Sequence, residues 1–258
     1  MKKNITIIWW SDGFGKWLAN YIKSTFKSKV EITITWRDIK KLQKVSQEIN
    51  CKYDIDNINA VKNADITIFS VPIWFMVDTI KKVAPFIKKW SMVLDVTSIK
   101  NSPSKAMRKY CKKWVFVLPT HPMFWPYISN IAWQIFVLCP EKNEKSDERY
   151  LFLKKFLEKN DAKVIEETPK NHDKMMAIVQ WLTHFDMFVF WETVRRLKLD
   201  IKKSMDFVSP IYKIMISSVA RYLNQNPKLY SDIQIHNKEV LKVHKTFMKT
   251  TNDFNKIV

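Results

Sequence analysis

Short, nearly continuous apolar runs alternate with amphipathic stretches over the first two-thirds of the chain. Asn4–Ile8, Val30–Thr35, Asp65–Val71, Ser91–Val96, Val115–Leu118, Gln134–Leu138 and Lys163–Glu166 read as strands. Phe14–Phe26, Ile39–Ile49, a stretch reaching about Ile87, and Glu144–Lys159 carry helical spacing. Apolar strands separated by amphipathic helices predict a parallel sheet covered on both faces. After Thr168 the spacing is helical only. Pro169–Leu197 has no breaker beyond its start and is roughly 43 Å long if fully helical. Ile201–Phe207, Pro210–Asn224 and Lys238–Phe254 follow. The expected architecture is a doubly wound α/β domain over 1–167 and an all-α domain over 168–258. So long an apolar helix is poorly covered by the residues around it, which points to a homodimer through the C-terminal helices.

Composition narrows the class. The 258 residues are 47% apolar and 14% aromatic, which excludes a disordered chain. No run approaches ~18 uncharged apolar residues, so no transmembrane helix is expected. Met1-Lys2-Lys3 before Ile5–Trp10 imitates a signal peptide, but the apolar stretch is short and no small-residue cleavage site follows. Cys51, Cys111 and Cys139 are far apart and odd in number, against a disulfide framework and a zinc site, so a reducing cytoplasm is expected. The five histidines show no metal-ligand spacing, and no metal is expected. The net charge of +19 comes from dispersed lysines, which fits a basic face drawing in an anionic substrate or cofactor better than a nucleic-acid binder.

Glycine is the anomaly. Average usage of ~7% predicts roughly 18 in this length, and there are 2, against 11 tryptophans. The first strand–helix junction reads Ile7-Ile8-Trp9-Trp10-Ser11-Asp12-Gly13-Phe14-Gly15-Lys16. A dinucleotide fold of the Rossmann type needs a tight turn here, bare backbone against the pyrophosphate, and a helix N-terminus facing it. Aligned so that Gly15 ends G-x-G-x-x-G, the first glycine falls on Trp10 and the middle one on Asp12. Residues 10–15 are the candidate cofactor loop: Trp10, Ser11, Asp12, Gly13, Phe14 and Gly15.

Other tryptophans also stand where glycine is wanted. Trp36 ends the second strand, Trp90 and Trp114 each close a Lys-Lys-Trp before a strand, and Trp125 lies in a loop. Trp17, inside the first helix, reads as an authentic aromatic, whereas Trp74, Trp133, Trp181 and Trp191 fit either reading. The expectation is that a codon meaning glycine in the source organism (UGA in a variant code) stands here as tryptophan, at positions 9, 10, 36, 90, 114 and 125. The alternative is a tryptophan-rich protein with aromatics in its core.

With that substitution allowed, the chain resembles the prephenate dehydrogenase family over nearly its whole length. The loop at 9–15, DVTSIK at 95–100, THPMFWP at 120–126, HDKMMAIVQWLTHF at 172–185 and ARYLNQNPKLYSDI at 220–233 carry the resemblance, in the family's order. It implies conversion of prephenate to 4-hydroxyphenylpyruvate, with hydride transfer to NAD(P)+ and loss of CO2.

By resemblance to HPMFGP, His121 is the catalytic base for the ring hydroxyl. A neutral histidine suits that role, and its loop follows a strand at the sheet's carboxyl edge. Resemblance makes Ser98 a donor near the hydroxyl or His121, with a helix N-cap as its structural alternative. Lys100 would add positive charge. Arg221 matches a carboxylate-binding arginine, and His184, one turn beyond Gln180, a substrate-contacting histidine. His172 matches a family His-Asp pair and is expected to order structure.

Cofactor choice turns on Thr35-Trp36-Arg37-Asp38. Arg37 suits a 2′-phosphate and favours NADP, while Asp38 suits the ribose of NAD. Arogenate dehydrogenase is the nearest alternative, and HPMF-x-P argues against other two-domain reductases. A degenerate, cofactor-less binding protein is the alternative if the tryptophans are authentic. No fused chorismate mutase or regulatory domain is expected in this length, so any feedback by tyrosine is expected at the active site.

Overall fold

The computed structural model describes residues 2–9, 13–224 and 227–257. The chain divides into two compact units, Met1–His172 and Asp173–Val258.

In the first unit, strands β1 (Lys3–Trp9), β2 (Val30–Thr35), β3 (Lys52–Asp54), β4 (Ile66–Ser70), β5 (Met92–Asp95), β6 (Phe116–Pro122), β7 (Ile135–Leu138) and β8 (Lys163–Glu166) form one sheet. Its order is β3-β2-β1-β4-β5-β6-β7-β8, with the reversal of winding between β1 and β4 that marks a doubly wound nucleotide fold. One pairing departs from the expected parallel sheet, because β6 and β7 run antiparallel. The connection over 123–134 contains no helix, whereas a parallel return in the same sheet is usually made through one.

Alternation along each strand produces the two layers. Met92 and Leu94 of β5, with Phe116 and Leu118 of β6, enter one apolar cluster. The intervening Val93 and Val117 enter the other. The first cluster is closed by α1 (Phe14–Phe26), α2 (Ile39–Ile49) and α6 (Glu148–Lys159), the second by α3 (Asn57–Val61), α4 (Ile73–Val83) and α5 (Asn101–Tyr110). The short β3, α3 and α5 are additions to the elements expected from the sequence.

The second unit is helical. A continuous run joins α7 (Pro169–Met176), a π segment (Ala177–Leu182) and α8 (Thr183–Arg196), matching the expected long helix except for its wider central turn. α9 (Ile201–Ser204), α10 (Pro210–Leu223), α11 (Pro227–His236) and α12 (Val240–Asn255) complete it. Ala177, Trp181 and Val240 form its core, with Phe185 and Val243 packed against them. Ile178, Val179 and Val189 of the long run, and Ile211 and Ile214 of α10, remain exposed. Among the described residues no helix is long and apolar enough to cross a membrane, and no group of three metal-ligating side chains is present.

Candidate active site

The carboxyl ends of β5 and β6 carry a buried polar cluster. Asp95, the last residue of β5, is fully buried, and its Oδ2 accepts from the Thr97 hydroxyl at 2.5 Å and the Thr97 amide at 3.1 Å. The same oxygen forms an ion pair with the Lys100 ammonium, which also donates to the Thr120 carbonyl at 2.5 Å. The Thr120 hydroxyl donates to the Asp95 carbonyl at 2.5 Å. Two adjacent strand ends are thus tied together one residue before His121.

His121 itself is buried, with Nδ1 2.8 Å from Nε2 of His172. Burial, the neighbouring His172 ring and the Lys100 charge, in that order, hold its pKa well below the ordinary histidine value. His121 is therefore a neutral imidazole at physiological pH. If the shared proton sits on His121 Nδ1, its Nε2 is left as an acceptor.

The expected residues fall in two groups. Ser98, half-buried, lies in the turn between Asp95 and Lys100. It does not cap α5, because Lys100 occupies that helix's N-cap position. Lys100 departs from expectation: its ammonium faces inward to Asp95 and Thr120, so it acts through those partners. Sequence reasoning missed Asp95, although a carboxylate inside an apolar strand is itself a signal. For His172, expected to order structure, the bond to His121 gives that role a physical form.

His184 and Arg221 belong to the second unit. The His184 ring is buried edge-on against Tyr222 at 5.2 Å and Tyr230 at 4.7 Å. Burial lowers its pKa to about 4. Its Nδ1 and the Gln180 Oε1 are both buried without a hydrogen-bond partner. Arg221 is exposed on α10, and its charge acts on both phenols.

The His184 burial has a measurable consequence. Below pH 6.5 an unfolded histidine takes up a proton that the folded ring refuses until about pH 4. Stability is therefore full above 6.5 and falls as pH drops toward 4. Urea unfolding at pH 7.5 and 4.5 should show His184→Asn losing about 2–3 kcal/mol less than the parent chain. Equal losses in the two proteins would contradict this assignment.

Residues 18–166 match the nucleotide-binding domain of prephenate dehydrogenase, and residues 168–258 match its dimerization domain. The chain belongs to the prephenate dehydrogenase family. It is 41% identical over 254 residues, 98% of its length, to a probable arogenate/prephenate dehydrogenase of Methanocaldococcus jannaschii, covering 56% of that protein. It is 30% identical over 191 residues, 74% of its length, to the T-protein of Haemophilus influenzae, covering 49% of it. The chain thus spans about half the length of these curated relatives.

Among solved structures, prephenate dehydrogenase from A. aeolicus, in complex with hydroxyphenyl propionate and NAD+, superposes with a TM-score of 0.79 at 20% identity. That match covers 100% of this chain and 91% of the other. Synechocystis arogenate dehydrogenase gives 0.70 at 18% identity, covering 98% and 91%. At these identities the structures show a shared fold.

The family's nucleotide-binding domain directs attention to the loop between β1 and α1. Trp10, Ser11 and Asp12 lie outside the described residues. Gly13 is the N-cap of α1 with φ of 124°, a backbone that suits glycine. Phe14 packs against Trp17 and Phe124. Gly15 is buried, and a Cβ built on it would collide with the Trp9 ring at Cδ1. The space that a bare Gly15 leaves for a pyrophosphate is filled by the Trp9 indole. Trp36 closes on that indole, with ring centroids 4.8 Å apart. Asp38 caps α2 by accepting from the Lys41 amide at 3.1 Å, whereas Arg37 is exposed, its guanidinium 5.3 Å from the centroid of the Phe75 ring. With indoles at 9 and 36, the residues at this crevice do not fit a dinucleotide.

Proposed function

We propose that the chain is an oxidoreductase acting on prephenate, converting it by oxidation and decarboxylation to 4-hydroxyphenylpyruvate. The observation that carries this reading is His121: a buried, neutral imidazole at the carboxyl end of β6, held by His172 and backed by the Asp95–Lys100 pair. Such a group accepts the ring hydroxyl's proton as the carbinol carbon is oxidised. Ser98 is proposed to donate near the same hydroxyl. His184 and Arg221 supply donors for the substrate's carboxylates, Arg221 through its bidentate fork.

The nicotinamide cofactor is proposed as NAD or NADP. Arg37 favours NADP, and the engagement of Asp38 as a helix cap supports that preference. A homodimer fits the match to the family's dimerization domain and the exposed apolar residues on the long run and α10.

Arogenate, with an amino acid side chain in place of the keto acid, is the competing substrate. A cofactor-less binding protein is the second reading, favoured by the Trp9 indole over Gly15. Paired kcat/KM measurements on native protein, with prephenate and arogenate and with NAD and NADP, test all of these. Turnover of prephenate, preferably with NADP, is expected. Higher kcat/KM for arogenate would reassign the substrate, and no turnover of either would favour the binder.

A further inference from the structure

We infer that the protein made in the cell carries glycine at positions 9, 36, 90 and 133. The assignment of 9 and 36 rests on the nucleotide-dependent reading above, and that of 90 and 133 does not.

Trp90 has φ of 62° and Trp133 φ of 65°. This left-handed region places Cβ against the backbone, costs ordinary residues about 1–2 kcal/mol, and is an outlier for a bulky side chain. Six non-glycine residues adopt it among those described, namely Lys27, Asn50, Trp90, Trp133, Asp161 and Lys198. Tryptophan supplies two of the six while making up 11 of 258 residues. Packing gives neither indole a compensating gain, since Trp90 is 75% and Trp133 86% exposed. Each sits in a turn one residue short of a strand, Trp90 ahead of Ser91 and β5 and Trp133 ahead of Gln134 and β7, where left-handed glycine is the usual solution. Position 133, open to either reading in the sequence, is decided by its backbone.

Trp9 and Trp36 conflict with the fold in a different way. β1 and β2 pair with Ile8 opposite Thr35, so the next residue of each strand turns over the same crevice. The two indoles pack together there, and the Trp9 N–H is buried without a hydrogen-bond partner. An unmet buried donor costs about 1–3 kcal/mol. Trp17 shows what a used indole looks like in the same unit: its N–H donates to the Ile128 carbonyl at 2.7 Å, and its ring stacks on Tyr21 at 5.1 Å. Glycine at 9 and 36 frees the face of Gly15 and the end of β2, which a pyrophosphate and ribose need.

The test compares the full chain as written with Trp9→Gly/Trp10→Gly/Trp36→Gly and with Trp90→Gly/Trp133→Gly, alongside peptide masses of the native protein. Glycine masses at 9, 36, 90 and 133 are expected. The 90/133 variant should melt about 2–4 °C higher for each kcal/mol of strain relieved, while a Trp17→Gly control melts lower. The 9/10/36 variant should bind NAD or NADP at least ten-fold more tightly than the written chain. Tryptophan masses at these positions, or a lower melting temperature for the 90/133 variant, overturn the inference. If the native masses show glycine but the 9/10/36 variant binds neither nucleotide, the nucleotide reading fails alone and the glycine assignments stand. Tryptophan masses at 9 and 36 with glycine at 90 and 133 overturn the first pair only.

Discussion

Replacing His121 with Asn, in protein carrying glycine at 9, 10 and 36, is expected to lower kcat by about 10²–10⁴-fold, the usual contribution of a positioned acid–base group. KM for prephenate should change little, because the substrate's carboxylates are assigned to other residues. The pH profile is the sharper readout. His121 is held neutral by burial, by His172 and by Lys100, so the parent's kcat should not fall as pH is lowered through 6.5, where an ordinary histidine would be taking up a proton. His172→Ala removes the fixed partner 2.8 Å from Nδ1 and should lower kcat through loss of ring orientation. Parental kcat in the His121→Asn protein would remove His121 from the chemistry.

Replacing Lys100 with Met is expected to destabilise the fold by about 3–5 kcal/mol, the range for breaking a buried ion pair by removing one partner. The Asp95 carboxylate would be left fully buried, and its Oδ1 already lacks a hydrogen-bond partner. Asp95→Asn/Lys100→Met removes both charges and should recover much of the loss. The pair also bears on His121, since the Lys100 ammonium holds the Thr120 carbonyl next to it and its charge depresses the His121 pKa. Where Lys100→Met still folds, its kcat should therefore start to fall at a higher pH than the parent's as acid is added. Urea unfolding checks the first expectation, and a stability within about 1 kcal/mol of the parent would defeat it.

The fold was legible wherever burial writes itself into residue type. Ser91–Val96 and Val115–Leu118 are apolar on both faces because Val93 and Val117 enter one layer while Leu94 and Leu118 enter the other. β3 left no such trace, being three residues with two exposed. α5 is hidden by its composition, NSPSKAMRKY, in which only four residues are buried. The reversed direction of β7 was readable in principle, from a connection over 123–134 without helical spacing where a parallel return is usually helical. In the site, His121, Ser98 and Lys100 came from motif resemblance, and their surroundings did not. His172 lies 51 residues from His121 in sequence, and no local pattern links them. The inward turn of Lys100 depends on Asp95, whose carboxylate looked like an interruption of a strand.

The loop that follows His121 leans on the helix that opens the nucleotide crevice, through Phe124 against Phe14 at 5.5 Å and the Trp17 N–H to the Ile128 carbonyl. Redrawing the opening turn of α1 will consequently disturb the segment that carries His121. Arg37, on the exposed rim past β2 with its guanidinium over the Phe75 ring, lies outside that contact, so a change there leaves Phe14 and Phe124 packed as they are.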